Sequence, residues 1–181
     1  MRYSLIKAND VANGMGVSVS LWTQGCPHYC SGCFNKETWD FNGGKEFGQD
    51  ELKYILDIIN ADGIKRNLSI LGGEPLCEQN IEGVLSLIKE VKLRYPLIKV
   101  YVWTGYTLDE LIVKYPNAKF DLIDILIDGK FDKDLKDLSL ILRGSKNQRV
   151  IDLSQTLKTG KVITLYKKTL KNSNFTEFFF F

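Results

Sequence analysis

The sequence predicts an α/β fold in which parallel strands alternate with helices. Three observations predict it: short β-branched runs that end in glycine or polar turns, helical-period segments between them, and enough chain between successive runs for a crossover. Val17 to Trp22 is the first such run, introduced by Gly14-Met15-Gly16 and followed by a cysteine-bearing loop and the turn Gly43-Gly44. Gln49 to Asn60 places Leu52, Ile55, Leu56 and Ile59 at helical spacing, with Asp50 and Glu51 suited to the first turn. Leu68 to Leu71 reads as a strand closed by Gly72-Gly73. Ile81 to Arg94 reads as a helix with Val84, Leu85, Ile88 and Val91 on one face and Pro96 as its stop. Ile98 to Trp103 is the next strand, Leu108 to Val113 a short helix, and Leu122 to Ile127 another strand. Functional loops of such a fold follow the carboxyl ends of the strands. Val150 to Leu153 and Val162 to Tyr166 fit late strands or edge additions. Phe178 to Phe181 fits a packed terminal segment, a docking patch or a frayed end.

A chain of 181 residues suits one domain spanning residues 1–181. Apolar residues make up 44% and charged residues 25%, enough for a proper core. With 24 Lys plus Arg against 22 Asp plus Glu, no strong field calls for nucleic acid or a membrane surface as the main partner. No apolar stretch reaches the roughly 18 residues of a spanning helix, and Met1 to Leu5 lacks a signal-peptide core. A cytoplasmic protein is expected.

Three of the four cysteines, Cys26, Cys30 and Cys33, fall within eight residues as C-x3-C-x2-C, and Cys77 stands apart. A disulfide framework spreads its cysteines to close long loops, so this grouping points to a metal or cluster. Thiolates are soft ligands that suit iron–sulfur clusters and zinc alike. Three thiolates can hold three irons of a cubane and leave the fourth open to a small molecule. The competing reading is zinc completed by His28 or Cys77. Structural zinc wants two well-separated ligand pairs, and no second pair exists here.

C-x3-C-x2-C after an early strand, with Gly72-Gly73-Glu74-Pro75 after the next, resembles the signature of the radical S-adenosylmethionine superfamily. Within it, the chain looks like the activating proteins of anaerobic ribonucleoside-triphosphate reductase. That match rests on Gln24 to His28, Gly32 to Asn35, Val102 to Tyr106, Asp128 to Phe131, and Arg143 to Ser145 with Asn147 to Arg149. The superfamily often has an aromatic residue before the third cysteine; here that position is Gly32, and Phe34 can shield the cluster instead.

The resemblance implies a partial, open parallel β/α barrel and a 4Fe-4S cluster on Cys26, Cys30 and Cys33. S-adenosylmethionine would bind beside it. Gly32, Cys33 and Phe34 would flank the ligand, and Gly72, Gly73 and Glu74 would meet its amino group. Asp128 would meet the ribose and Lys130 the carboxylate. The implied reaction is reductive cleavage to a 5′-deoxyadenosyl radical that takes hydrogen from a glycine Cα in the glycyl-radical subunit of the reductase. The implied electron donor is flavodoxin or a similar low-potential reductant. Alternatives are an activase of another glycyl-radical enzyme, such as pyruvate formate-lyase, and a non-catalytic zinc or electron-transfer module. His28 is expected to fix the cysteine loop by hydrogen bonding, and Trp103 to pack in the core. Cys77 is expected to be a buried or partly buried free thiol.

Overall fold

The computed structural model describes residues 1–166 of the 181. Strands β1 (Arg2–Asp10), β2 (Ser18–Thr23), β3 (Lys45–Glu46), β4 (Asn67–Gly72), β5 (Val100–Trp103), β6 (Ile125–Asp128), β7 (Arg149–Asp152) and β8 (Thr164–Leu165) form one sheet in the order β3-β1-β2-β4-β5-β6-β7-β8. Helices α1 (Gln49–Ile59), α2 (Ile81–Arg94), α3 (Leu108–Lys114) and α4 (Leu153–Thr159) lie between strands. The central pairs β2·β4, β4·β5 and β5·β6 are parallel, and each is joined through one of the first three helices. The flanking strands are antiparallel, β1 and β3 on one side, β7 and β8 on the other. The sheet is therefore mixed and unclosed, with the expected parallel strands at its centre and antiparallel strands at both edges. Residues 11–17 between β1 and β2 are too few for a crossover, which forces that pair antiparallel.

Period-two alternation sorts the strand residues onto two faces. Val19, Leu21, Leu68, Ile70, Val100, Val102 and Leu126 pack against Ile55 and Ile59 of α1, Val84 and Ile88 of α2, and Leu111 of α3. Each such fully buried side chain contributes about 1.5–3 kcal/mol. The opposite face carries Tyr101, Ile127 and Val150, covered by Met15, Leu142 and Tyr166. Its serines bond to the end of β1 and the connection after it: Ser20 donates to Asp10, and Ser69 donates to the Asn13 carbonyl.

Helix ends follow local chemistry. The Glu51 carboxylate accepts from the Gly48 amide at 2.9 Å, closing the first turn of α1. Thr107 and Glu110 form a reciprocal capping box on α3, with the Thr107 amide 2.7 Å from Glu110 Oε2. The α2 bounds match the expected ones; of the expected strand Leu122 to Ile127, Leu122 closes a 3-10 turn (Phe120–Leu122) and the strand itself begins at Ile125. Among the described residues no helix is long and apolar enough to cross a membrane. The aromatic run Phe178 to Phe181 lies outside the described residues.

Candidate functional site

The carboxyl ends of β2, β4, β5 and β6 open into a basin of about 490 Å³. Cys26, Cys30 and Cys33 line it, together with Gly72, Gly73, Trp22 and Trp103. All three cysteines are free thiols; Cys26 is buried, and Cys30 and Cys33 are half-buried. Cys77 is a fourth free thiol, buried as expected and not part of the lining.

The cysteine loop is held by its own backbone. The Gly25 amide donates to the Thr38 carbonyl at 2.8 Å, Cys26 to Trp39 at 3.1 Å, and Cys33 to Cys30 at 3.1 Å. The Asn35 amide lies 3.3 Å from Cys33 Sγ. Burial pushes the Cys26 thiol up to about 11, outweighing backbone hydrogen bonds from His28 and Tyr29. Burial also raises Cys30, against a backbone hydrogen bond from Phe131 and the nearby Lys130 charge. Thiols held this way give up their protons to a bound cation, so metal uptake here releases protons.

The Gly-Gly-Glu turn serves as the seat of this loop. A Cβ on Gly73 would stand 2.4 Å from the Gly25 carbonyl oxygen, so only glycine lets the two backbones meet. The Glu74 amide donates to that same oxygen at 2.8 Å. The Glu74 side chain is 1% exposed and turns away from solvent into its own chain. Oε1 accepts from the Leu76 amide at 2.9 Å and the Thr104 hydroxyl at 2.7 Å. Oε2 accepts from the Gly105 amide at 2.7 Å and lies 2.8 Å from His28 Nε2. Four donors of the protein thus occupy the carboxylate.

Asp128 is likewise held by its own chain. It is buried, its carboxylate accepts from the Leu108 amide at 2.9 Å at the start of α3, and Arg149 binds both of its oxygens. Its neighbour Gly129 lines the basin, and Asp128 itself does not. Lys130 is exposed outside the lining, close enough to Cys30 to act on it through charge. Phe34 is 59% exposed at the rim, with its ring 5.5 Å from that of Phe131. Gly32 is exposed and faces Phe131 and Lys133.

Arg143, Asn147, Gln148 and Arg149 form an internal brace. Gln148 bonds to the Gly144 and Ser145 amides and the Gly129 carbonyl, Asn147 to the Lys130 carbonyl, and Arg143 to the Gln148 carbonyl. Trp103 packs as expected, and its indole also donates to Leu142 at 2.7 Å at the wall of the basin. Thr104 and Gly105 escaped functional assignment from sequence. The one available signal was a hydroxyl and a glycine directly after a strand, where site loops begin.

These donors fit an iron–sulfur cluster. Among the described residues no three His, Cys, Asp or Glu side chains converge to hold a lone ion. A cubane instead spreads its thiolates over separate irons, and three soft donors around one basin supply that.

A family model described as a 4Fe-4S single cluster domain matches residues 12–151. An anaerobic ribonucleoside-triphosphate reductase-activating protein of Escherichia coli K12 is 43% identical over 151 residues, covering 83% of this chain and 97% of the relative. A protein of the same name from Pasteurella multocida is 40% identical over 157 residues, covering 86% and 99%. One from Enterobacteria phage T4 is 36% identical over 154 residues, covering 83% and 93%. A loop of three thiols seated on a Gly-Gly-Glu turn, shared length and this identity agree, and the chain belongs to the family of anaerobic ribonucleoside-triphosphate reductase-activating proteins.

Proposed function

We propose that this chain is a radical S-adenosylmethionine oxidoreductase that installs the glycyl radical of an anaerobic ribonucleoside-triphosphate reductase. The observation that carries the reading is the set of three free thiols, Cys26, Cys30 and Cys33, lining one basin together with Gly72 and Gly73. The three cysteines would hold a 4Fe-4S cluster and leave one iron open. The chemistry such a cluster supplies when bound, on reduction by a donor such as flavodoxin, is one electron to the carbon–sulfur bond of S-adenosylmethionine, giving methionine and a 5′-deoxyadenosyl radical that takes a hydrogen atom from a glycine Cα of the reductase.

The chain's own residues position and shield. Gly72 and Gly73 offer main-chain groups beside the cysteines to the methionyl amino group, with no side chain in the way. Lys130 stands near Cys30 with a charge suited to the methionyl carboxylate. Phe34 and Phe131 cover the rim and keep water from the reacting carbon. Asp128 holds Arg149 and the start of α3, which steadies the Gly129 wall. The unclosed sheet is read as a partial barrel of the radical S-adenosylmethionine type, whose open side would admit a loop of a protein substrate. The reductase is preferred to other glycyl-radical partners because the related proteins carry its name.

The test mixes anaerobic protein with the purified reductase, dithionite and S-adenosylmethionine. A glycyl doublet by electron paramagnetic resonance, with 5′-deoxyadenosine formed, is expected. No doublet with the reductase, but one with pyruvate formate-lyase, would reassign the partner. Failure to cleave S-adenosylmethionine at all would remove the mechanism.

A further inference from the structure

We infer that His28 and Glu74 are a positioning pair that presets the span between Cys26 and Cys30 for the cluster, with the Glu74 carboxylate contacting no substrate. The inference rests on the cluster reading above and adds residues that hold the loop without touching the metal.

His28 sits at the middle of the first cysteine gap, so whatever fixes its ring fixes the chain between two thiols. The ring is fixed on three sides. Nε2 donates to Glu74 Oε2 at 2.8 Å, since a carboxylate oxygen shared with the Gly105 amide can only accept. One face packs edge-on against Tyr106 with ring centroids 4.5 Å apart. A third side lies against Gly105, where a Cβ would stand 2.3 Å from the imidazole Cδ2. The His28 side chain is 6% exposed, so the pair works away from bulk water and each lost bond leaves a buried group unsatisfied.

Glu74 is in turn fixed by two strand ends. Its backbone meets Gly25 just ahead of Cys26, and its carboxylate binds Thr104 and Gly105 just after β5. The Asn80 amide group clamps the same place by donating to the Gln24 carbonyl at 2.9 Å and the Glu74 carbonyl at 3.0 Å. The entry to the loop and its midpoint are thus tied to one carboxyl-bearing residue. Four donors on two oxygens leave that carboxylate without free capacity to recruit an ammonium group. Outer partners of this kind orient metal ligands, and their loss typically weakens metal retention about 10- to 100-fold.

The experiment compares reconstituted wild type, His28→Ala, His28→Gln and Glu74→Gln under anaerobic chelator challenge, with no S-adenosylmethionine or reductase present. Iron and sulfide are followed with time, and the reduced cluster is examined by electron paramagnetic resonance. His28→Ala and Glu74→Gln are expected to lose iron about 10- to 100-fold faster, with a broadened signal. Glutamine at position 28 places an N–H donor near the same oxygen, so His28→Gln is expected to stay close to wild type in both readouts. Circular dichroism of the metal-free proteins guards against misfolding; if His28→Ala does not fold, the comparison of His28→Gln with Glu74→Gln decides.

Wild-type iron loss and spectrum in His28→Ala would overturn the inference. So would equal failure of His28→Gln and His28→Ala, which would assign the effect to ring packing against Tyr106. A wild-type protein that takes up no iron would overturn the cluster reading and this inference together. Retained iron without activation of the reductase would touch only the proposed function.

Discussion

Single side chains divide into those readable from local spacing and those defined by distant partners. The three clustered cysteines belong to the first kind, because ligand spacing within one loop is written in consecutive residues. Glu74 belongs to the second. It reads as part of a ligand-binding turn beside two glycines, and its side-chain partners His28 and Gly105 lie 46 and 31 residues away. Asp128 is alike, with Arg149 21 residues on. Replacing Cys26, Cys30 or Cys33 by alanine is expected to drop reconstituted iron far below about four per chain. Cys77→Ala is expected to leave iron content at the wild-type value. Iron assay and the visible spectrum check both.

Asp10 offers a residue-scale test of stability. Burial would raise its pKa, but hydrogen bonds from Asn13, Ser20 and the Ala12 and Asn13 amides outweigh it, and the net shift is downward. A lowered folded value means that its contribution is whole above the unfolded value, about 4, and is lost as pH falls through the lower folded value. The melting temperature should therefore fall as acid is added below about pH 4, and Asp10→Asn should flatten that segment. At neutral pH, Asp10→Asn should cost about 1–3 kcal/mol by denaturant melts, because the donors around it lose their acceptor.

At the scale of elements, strands with regular alternation were legible and bulged or edge strands were not. Val19 and Leu21 alternate with Ser18 and Ser20, and β2 follows from them directly. The first strand escaped because bulges between Tyr3 and Leu5, and between Lys7 and Asp10, break its period, leaving Leu5 exposed. Helix α4 also escaped, although Asp152 caps its amino end by accepting from the Gln155 amide at 2.9 Å, and Gly160 closes it with φ of 67°. Its short length hid any periodicity. The Gly-Gly turn was legible as a close approach, and its Gly73 meets the protein's own Gly25 backbone. Gly73→Ala should therefore shift the cysteine loop, costing about 1–3 kcal/mol in thermal or denaturant melts. An unchanged melt would contradict the close packing of the two segments.

The mixed sheet packs one face against helices, covers the other with Met15, Leu142 and Tyr166, and opens the site at its carboxyl edge. Parallel order in β2, β4, β5 and β6 brings four carboxyl ends to one rim, so loops far apart in sequence share a basin. The α/β class was legible because the parallel core sets the helix–strand rhythm. The antiparallel flanks were not, since strand direction at an edge leaves no mark on residue periodicity. The family comparisons fit this division, for they span the core and the site loops together.

The proposed function turns on three cysteines that would hold a cluster and leave one iron for S-adenosylmethionine. Electron paramagnetic resonance of the reduced, anaerobic protein with and without S-adenosylmethionine tests it most directly. A signal whose shape changes on adding the ligand, and which is absent from Cys30→Ala, is expected. A spectrum indifferent to S-adenosylmethionine, from a metal centre filled by four side chains, would contradict it.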